Sequence, residues 1–131
     1  PHTLQHQTYR NIWGLGDVIN TSNAKTVAAA RKQAPVVAEN VLQAVNGKEA
    51  VAGYDGYGAC PLTVENGKVV LAEFAYDGAL LPTFPGRLNR SESATSRAWF
   101  LKTRVLPALY WHGMLKGREW LAEPKKLSRC T

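Results

Sequence analysis

Apolar residues recur at three- and four-residue intervals between positions 27 and 45: Val27, Ala30, Ala34, Val37, Val41, Leu42 and Val45. This spacing places them on one face of an α-helix. The helix is expected to begin near Ala24, with Ser22 or Asn23 as N-cap, and to stop at Asn46-Gly47. Pro35 should kink or break it, because proline lacks a backbone donor and clashes with the preceding turn. Upstream, Tyr9 to Leu15 has the pattern of a short strand that ends in Gly14-Leu15-Gly16-Asp17. Downstream of the helix, a glycine-rich loop runs from Gly53 to Pro61. Leu62-Thr63-Val64 and Lys68 to Phe74 then flank Glu65-Asn66-Gly67, a hairpin signal whose type I′ turn asks for two residues at positive φ. Residues 77–96 carry Gly78, Pro82, Pro85 and Gly86 and are expected to be irregular. Ser93 to Leu115 is helical in pattern, with Pro107 dividing it into two segments, about 93–105 and 107–115, and residues 122–131 are polar and expected to fray. The mixture predicts an α+β fold in one domain, without internal repeats.

The charge changes this picture because it is uneven. Residues 1–96 hold eight basic and eight acidic residues, whereas 97–131 hold eight basic and two acidic, so the whole net charge of +6 lies in the last segment. That segment also carries Trp99, Trp111 and Trp120. Basic residues mixed with amphipathic aromatics suit a membrane–water interface. A nucleic-acid patch and a solvated helix pair packed on its own domain are the rival readings. The apolar run from Ala98 to Leu115 is interrupted by Lys102 and Arg104, so peripheral rather than spanning association is expected. Pro1-His2-Thr3-Leu4 lacks the basic and apolar regions of a signal peptide, and the chain is expected to be part of something longer. Two cysteines, Cys60 and Cys130, are too few for a disulfide scaffold, and His2, His6 and His112 show no metal-ligand spacing.

Two constellations carry candidate chemistry. In the first, Gly14 and Gly16 would let the backbone pass close to a ligand, and Asp17 could accept hydrogen bonds from hydroxyls. The following helix would aim its positive end at an electron-rich group. Taken alone, this is equally a turn with an Asp cap. Thr8 to Asp17 resembles the second FAD-binding motif of the pyridine nucleotide–disulfide oxidoreductase superfamily. The resemblance implies that Gly16 and Asp17 meet the flavin ribityl chain and that Lys25 and Thr26, at the helix start, lie near the isoalloxazine edge. Lys25 is otherwise an ordinary exposed lysine.

The second constellation is more specific. Tyr54-Asp55-Gly56-Tyr57-Gly58-Ala59-Cys60-Pro61-Leu62 precedes Val69-Val70-Leu71-Ala72-Glu73-Phe74, Leu81-Pro82-Thr83-Phe84-Pro85 and Leu106 to Gly117. Together these resemble the C-terminal region of sulfide:quinone oxidoreductases, from about residue 3 to about 121. The resemblance implies that Cys60 is one of two redox cysteines at the flavin; otherwise it is a buried, inert residue. It further implies FAD as cofactor, sulfide and quinone as substrates, and a membrane-docking surface over 97–121, with no nucleic acid bound. Phe84, Phe100 and Tyr110 become candidates for quinone contact. The expected organisation is then a piece of the FAD-binding domain (1–50), a hairpin and redox-cysteine region (51–92), membrane-docking helices (93–121) and a polar tail (122–131). A Gly-x-Gly-x-x-Gly motif and a partner cysteine are missing, and Cys130 matches no family motif. The 131 residues are therefore expected to be inactive alone, to bind FAD weakly or not at all, and to form homodimers. A fragment of a type II NADH:quinone dehydrogenase, which needs no Cys60, and a non-enzymatic basic lipid- or nucleic-acid-binding module are the alternatives.

Overall fold

The structure, a computed structural model, describes residues 2–83, 93–118 and 120–127. Its centre is helix α1, Val27–Val45, which runs unbroken through Pro35. Proline removes one donor, and the remaining turns of a 19-residue helix carry the axis across it. Thr26, not Ser22 or Asn23, is the N-cap: its Oγ1 accepts the Ala29 N–H at 3.2 Å. Asn23 is buried and bonds locally to Thr21 and to the Ala24 carbonyl.

The buried face of α1 is not the apolar one. Ala29, Gln33, Val36 and Asn40 face inward, while Val27 and Val45 are 85% and 80% exposed. The physical reason lies in the loops. The N-terminal segment and the chain after α1 carry backbone groups that need buried partners, and two amide side chains supply them. Asn40 Oδ1 accepts the Val51 and Ala52 N–H groups at 3.0 and 2.9 Å, and Nδ2 donates to the Thr3 and Ala52 carbonyls at 3.1 and 2.9 Å. Leu4, Ala29, Val36, Ala52 and Tyr54 form the core around these amides.

The expected strand over Tyr9–Leu15 is absent. A single antiparallel bridge joins Gln5 to Trp13, with the His6 N–H on the Ile12 carbonyl and the Gly14 N–H on the Leu4 carbonyl. Leu4 stands at φ +61°, which turns the chain and leaves no extended neighbour to pair with.

After α1 come β1 (Ala52–Gly53), β2 (Gly58–Glu65) and β3 (Lys68–Phe74). The hairpin β2–β3 is antiparallel and runs from Gly58↔Phe74 to Glu65↔Lys68, with a bulge between Thr63 and Glu65. At its turn only Gly67 takes positive φ, so the turn is not type I′, and the bulge absorbs the mismatch. Strand β2 starts four residues earlier than the pattern suggested and includes Pro61, which an edge strand tolerates. Helix α2 (Ser96–Phe100) is capped by Thr95, which also bridges to Val69 on β3. A π-helical stretch, Leu101–Val105, joins α2 to α3 (Leu106–His112) without a break. The Leu106 N–H reaches back to the Leu101 carbonyl, so the wider turn makes room for Pro107 where a split was expected.

Residues 122–127 do not fray. Strand β4 (Lys125–Lys126) pairs with β1, the Leu127 N–H bonds to the Val51 carbonyl at 2.8 Å, and Ala122 is buried. Arg31 on α1 donates to the Trp120 carbonyl. Among the described residues, no helix is long and apolar enough to cross a membrane.

Candidate functional site

The Gly16–Val18 segment is a short 3-10 turn, with Gly16 at φ +73° and no heavy atom within 4 Å of the place a Cβ would occupy. The Gly16 N–H donates to Gln33 Oε1 at 2.7 Å, which ties the turn to the buried side of α1. Asp17 is exposed beside it. Gly14 is tighter: a Cβ there would stand 2.6 Å from Ile19 Cγ2. Lys25 precedes the N-cap rather than sitting in the first turn, and its Nζ donates to the Thr21 carbonyl at 2.7 Å. The first amides of α1 lie beyond Thr26, at the positive end of the helix dipole.

Strand β2 comes directly against this helix start. A Cβ on Gly58 would meet the Ala24 methyl at 3.0 Å, the Ala24 carbonyl at 3.2 Å and Thr26 Oγ1 at 3.5 Å. Side chains two apart on a strand share a face, so Cys60 lies on the face of β2 that Gly58 presents to α1, about 7 Å further along. Cys60 is a free, half-buried thiol paired in register with Ala72. The carbonyl of the next residue, Pro61, accepts from Lys102 Nζ at 2.8 Å, and Lys102 also donates to Thr63 Oγ1 at 2.7 Å. Through this lysine the helical segment docks on the thiol strand.

The opposite face of the hairpin holds a polar cluster that the sequence reading did not single out. Glu73 is buried; Tyr57 Oη donates to its Oε1 at 2.7 Å and the Thr83 N–H to its Oε2 at 3.1 Å, with the Thr83 hydroxyl also bound. Glu73 pairs with Ala59 and Cys60 with Ala72, so the carboxylate and the thiol point to opposite faces. Burial pushes the Tyr57 phenol up to about 12, and the Glu73 carboxylate adds to that. Asp55 closes an Asx turn by accepting the Tyr57 N–H at 3.1 Å, and it is approached by Lys125 at 3.1 Å and Lys32 at 3.8 Å. Burial raises its pKa, but the Lys125 and Tyr57 hydrogen bonds and the Lys32 charge outweigh that and hold it below the ordinary aspartate value.

The predicted residues are thus partly assembled. Gly16, Thr26 and Cys60 are connected through Gln33, α1 and Gly58, with Asp17 and Lys25 exposed at the rim. Phe100 on α2 is 60% exposed and Tyr110 on α3 is 46% exposed, the latter edge-on to Trp111, and neither makes a ring or hydrogen-bond contact with Cys60. Phe84 and Cys130 lie outside the described residues. Gln33, Asn40, Glu73 and Lys102 were missed. The one available signal was a charged residue, Glu73, set inside the apolar run Val69 to Phe74. Among the described residues no group of three His, Cys, Asp or Glu could hold a metal ion.

No family model matches the chain. Curated relatives do. It is 40% identical over 116 residues to "Sulfide:quinone oxidoreductase, mitochondrial" of Dictyostelium discoideum, covering 88% of this chain and 25% of that one. Its identity to the proteins of the same name from Mus musculus and Schizosaccharomyces pombe is 36% in each case, over 88% and 90% of this chain and 25% and 26% of theirs. The structure superposes on a chain of the cryo-EM structure of the Tetrahymena thermophila mitochondrial ATP synthase F1Fo composite tetramer with a TM-score of 0.67 and 29% identity, over 82% of this chain and 26% of that chain. The chain spans about a quarter of the length of the curated relatives it matches. The chain is an α+β unit related along nearly its whole length to one part of much longer oxidoreductases. The chain is homologous to part of a sulfide:quinone oxidoreductase, as its Cys60 and Gly-Asp motifs implied.

Proposed function

We propose that this chain forms part of a flavoenzyme that oxidises sulfide through Cys60 and reduces a membrane quinone. The observation that carries the reading is the seating of Gly58 on Ala24 and Thr26. It puts the strand that carries Cys60 against the start of α1. The arm fits an FAD: Gly16 leaves open space where a side chain would intrude, Asp17 is an exposed acceptor for ribityl hydroxyls, and α1 presents its positive end. Residues 1–50 would then belong to the FAD-binding domain, and Lys25 and Thr26 would border the isoalloxazine.

In this reading the Cys60 sulfur is joined to a second cysteine of the longer protein by a disulfide or sulfane bridge. Hydrosulfide opens that bond, leaving a persulfide on one sulfur and a thiolate with the electron pair on the other. The two electrons leave when that thiolate closes on the persulfide as a new sulfur–sulfur bond and the persulfide proton is released; FAD, when bound, would supply the two-electron acceptor, with quinone and two protons as the final sink. The exposed Phe100, Tyr110, Trp111 and Trp120, with the basic residues of 97–121, suit docking on an anionic membrane surface, with the quinone entering beside Phe100 and Tyr110.

The test is Cys60→Ser in the full-length protein. Sulfide-dependent quinone reduction should disappear while the flavin absorbance stays. Full sulfide-dependent activity in that variant removes the thiol from the reaction, whereas a wild-type protein that reduces quinone with NADH and not with sulfide is a type II NADH:quinone dehydrogenase.

A further inference from the structure

Gln33 is 0% exposed, and its two ends behave differently. Oε1 holds the Gly16 N–H at 2.7 Å. Nε2 is the one buried side-chain atom among the described residues left without a hydrogen-bond partner. A half-paired amide is a costly occupant of a core, so its presence calls for a role that packing does not supply. Asn40, seven residues along the same stripe, spends both its oxygen and its nitrogen on loop backbone and needs no such role.

Tyr54 packs in the core with Ala29 and Val36, which flank Gln33 on the inward stripe of α1, and this sets the Gln33 amide beside the Tyr54 phenol. Burial raises that phenol and the amide opposes the shift. Tyr54 Oη in turn donates to the Tyr57 carbonyl at 2.5 Å, and the next residue is Gly58, seated on Ala24 and Thr26. One fully buried side chain therefore bonds the Gly16 turn at one end and packs beside the segment leading to Cys60 at the other.

We propose that Gln33 is a positioning residue that couples the Gly16–Asp17 turn to the Tyr54–Cys60 segment and so fixes the cofactor arm relative to the thiol. The proposal rests on the flavin–thiol reading above for its purpose, though the coupling itself is a property of this chain.

The test uses the full-length protein and four variants, of which Asp17→Ala probes the flavin arm alone. Gln33→Met keeps the volume and removes the amide, Tyr54→Phe removes the hydroxyl, and Val36→Ala is a core control (1% exposed) on the same helix face. Three quantities are read by peptide mapping and gel filtration: hydrogen exchange at Gly16, alkylation of Cys60 by iodoacetamide, and flavin retained. Gln33→Met should speed Gly16 exchange about tenfold, the value of one lost hydrogen bond. It should also change the Cys60 alkylation rate severalfold and lower flavin retention. Tyr54→Phe should move both the Cys60 rate and Gly16 exchange, although it touches only one side. Val36→Ala should lower Tm and leave both rates in place. Unchanged rates in Gln33→Met, or equal changes in Val36→Ala, overturn the coupling. If Gln33→Met does not fold, Tyr54→Phe decides: Gly16 exchange at the wild-type rate overturns the coupling. If both rates respond while Gln33→Met and Asp17→Ala keep full flavin, the coupling stands and the flavin-arm reading falls.

Discussion

Replacing Asn40 with leucine separates the buried stripe seen in the structure from the apolar stripe written in the sequence. Leucine fills nearly the same space but can neither donate nor accept. The fully buried N–H and C=O of Ala52 then lose their partners, at about 1–3 kcal/mol each. The half-buried Thr3 carbonyl and Val51 N–H recover water in part and add about 0.5–1 kcal/mol each. The leucine returns about 1–2 kcal/mol of apolar burial. The net loss is about 4 kcal/mol, a large share of a small domain's stability of about 5–15 kcal/mol. With a urea slope of about 2 kcal/mol per molar, the midpoint of unfolding, followed by Trp fluorescence, should fall by about 2 M. Leu42→Ala is the companion variant. Leu42 belongs to the predicted apolar face but is 57% exposed, so its loss should stay within about 0.5 kcal/mol. A midpoint shift under about 0.5 M for Asn40→Leu, or a larger cost for Leu42→Ala, would refute the assignment of the inward face.

Four further expectations are open to direct measurement. Asp55 has a lowered pKa, so its contribution to stability is complete above the unfolded value of about 3.9 and is lost as pH falls through the folded one. Lys125→Ala should flatten that acid limb in pH-dependent unfolding. Tyr57 and Tyr76 are raised to about 12, so their contribution is complete below pH ~10 and is lost as pH rises towards about 12. Gly56→Ala puts a methyl 2.5 Å from the Tyr76 backbone nitrogen at φ +84°, and should cost about 2–4 kcal/mol in thermal unfolding. Trp111→Ala with Trp120→Ala should weaken binding of the chain to anionic vesicles at least tenfold in sedimentation assays, with wild-type binding falling as salt rises.

What the sequence could and could not announce follows from where each element finds its partners. The hairpin was legible because Asn66-Gly67 and the β-branched flanks are local, and the extent of α1 was legible because its period is local. The buried face of α1 was not, since alanine and valine occur all round it and the inward side is set by amides that serve distant loops. The same holds for β4: Lys125 and Lys126 have no strand pattern, and their placement comes from backbone pairing with β1 and from Asp55, some seventy residues away. Cys60 and Asp17 stood out through motif, yet the residues that place the surrounding chain, Gln33 and Lys102, sit in a helix face and a basic run that read as ordinary.

The π-helical stretch at Leu101–Val105 has a geometric consequence for the rings around it. On a regular helix Phe100 and Trp111, eleven residues apart, fall within about 20° of each other when projected down the axis. Five residues at the wider pitch turn the later part back by about a quarter of a revolution. The aromatic side chains therefore wind around the rod instead of lining one edge of it. Phe100 and Trp111 stand about a quarter-turn apart, so a planar partner that meets one of them by its face meets the other by its edge.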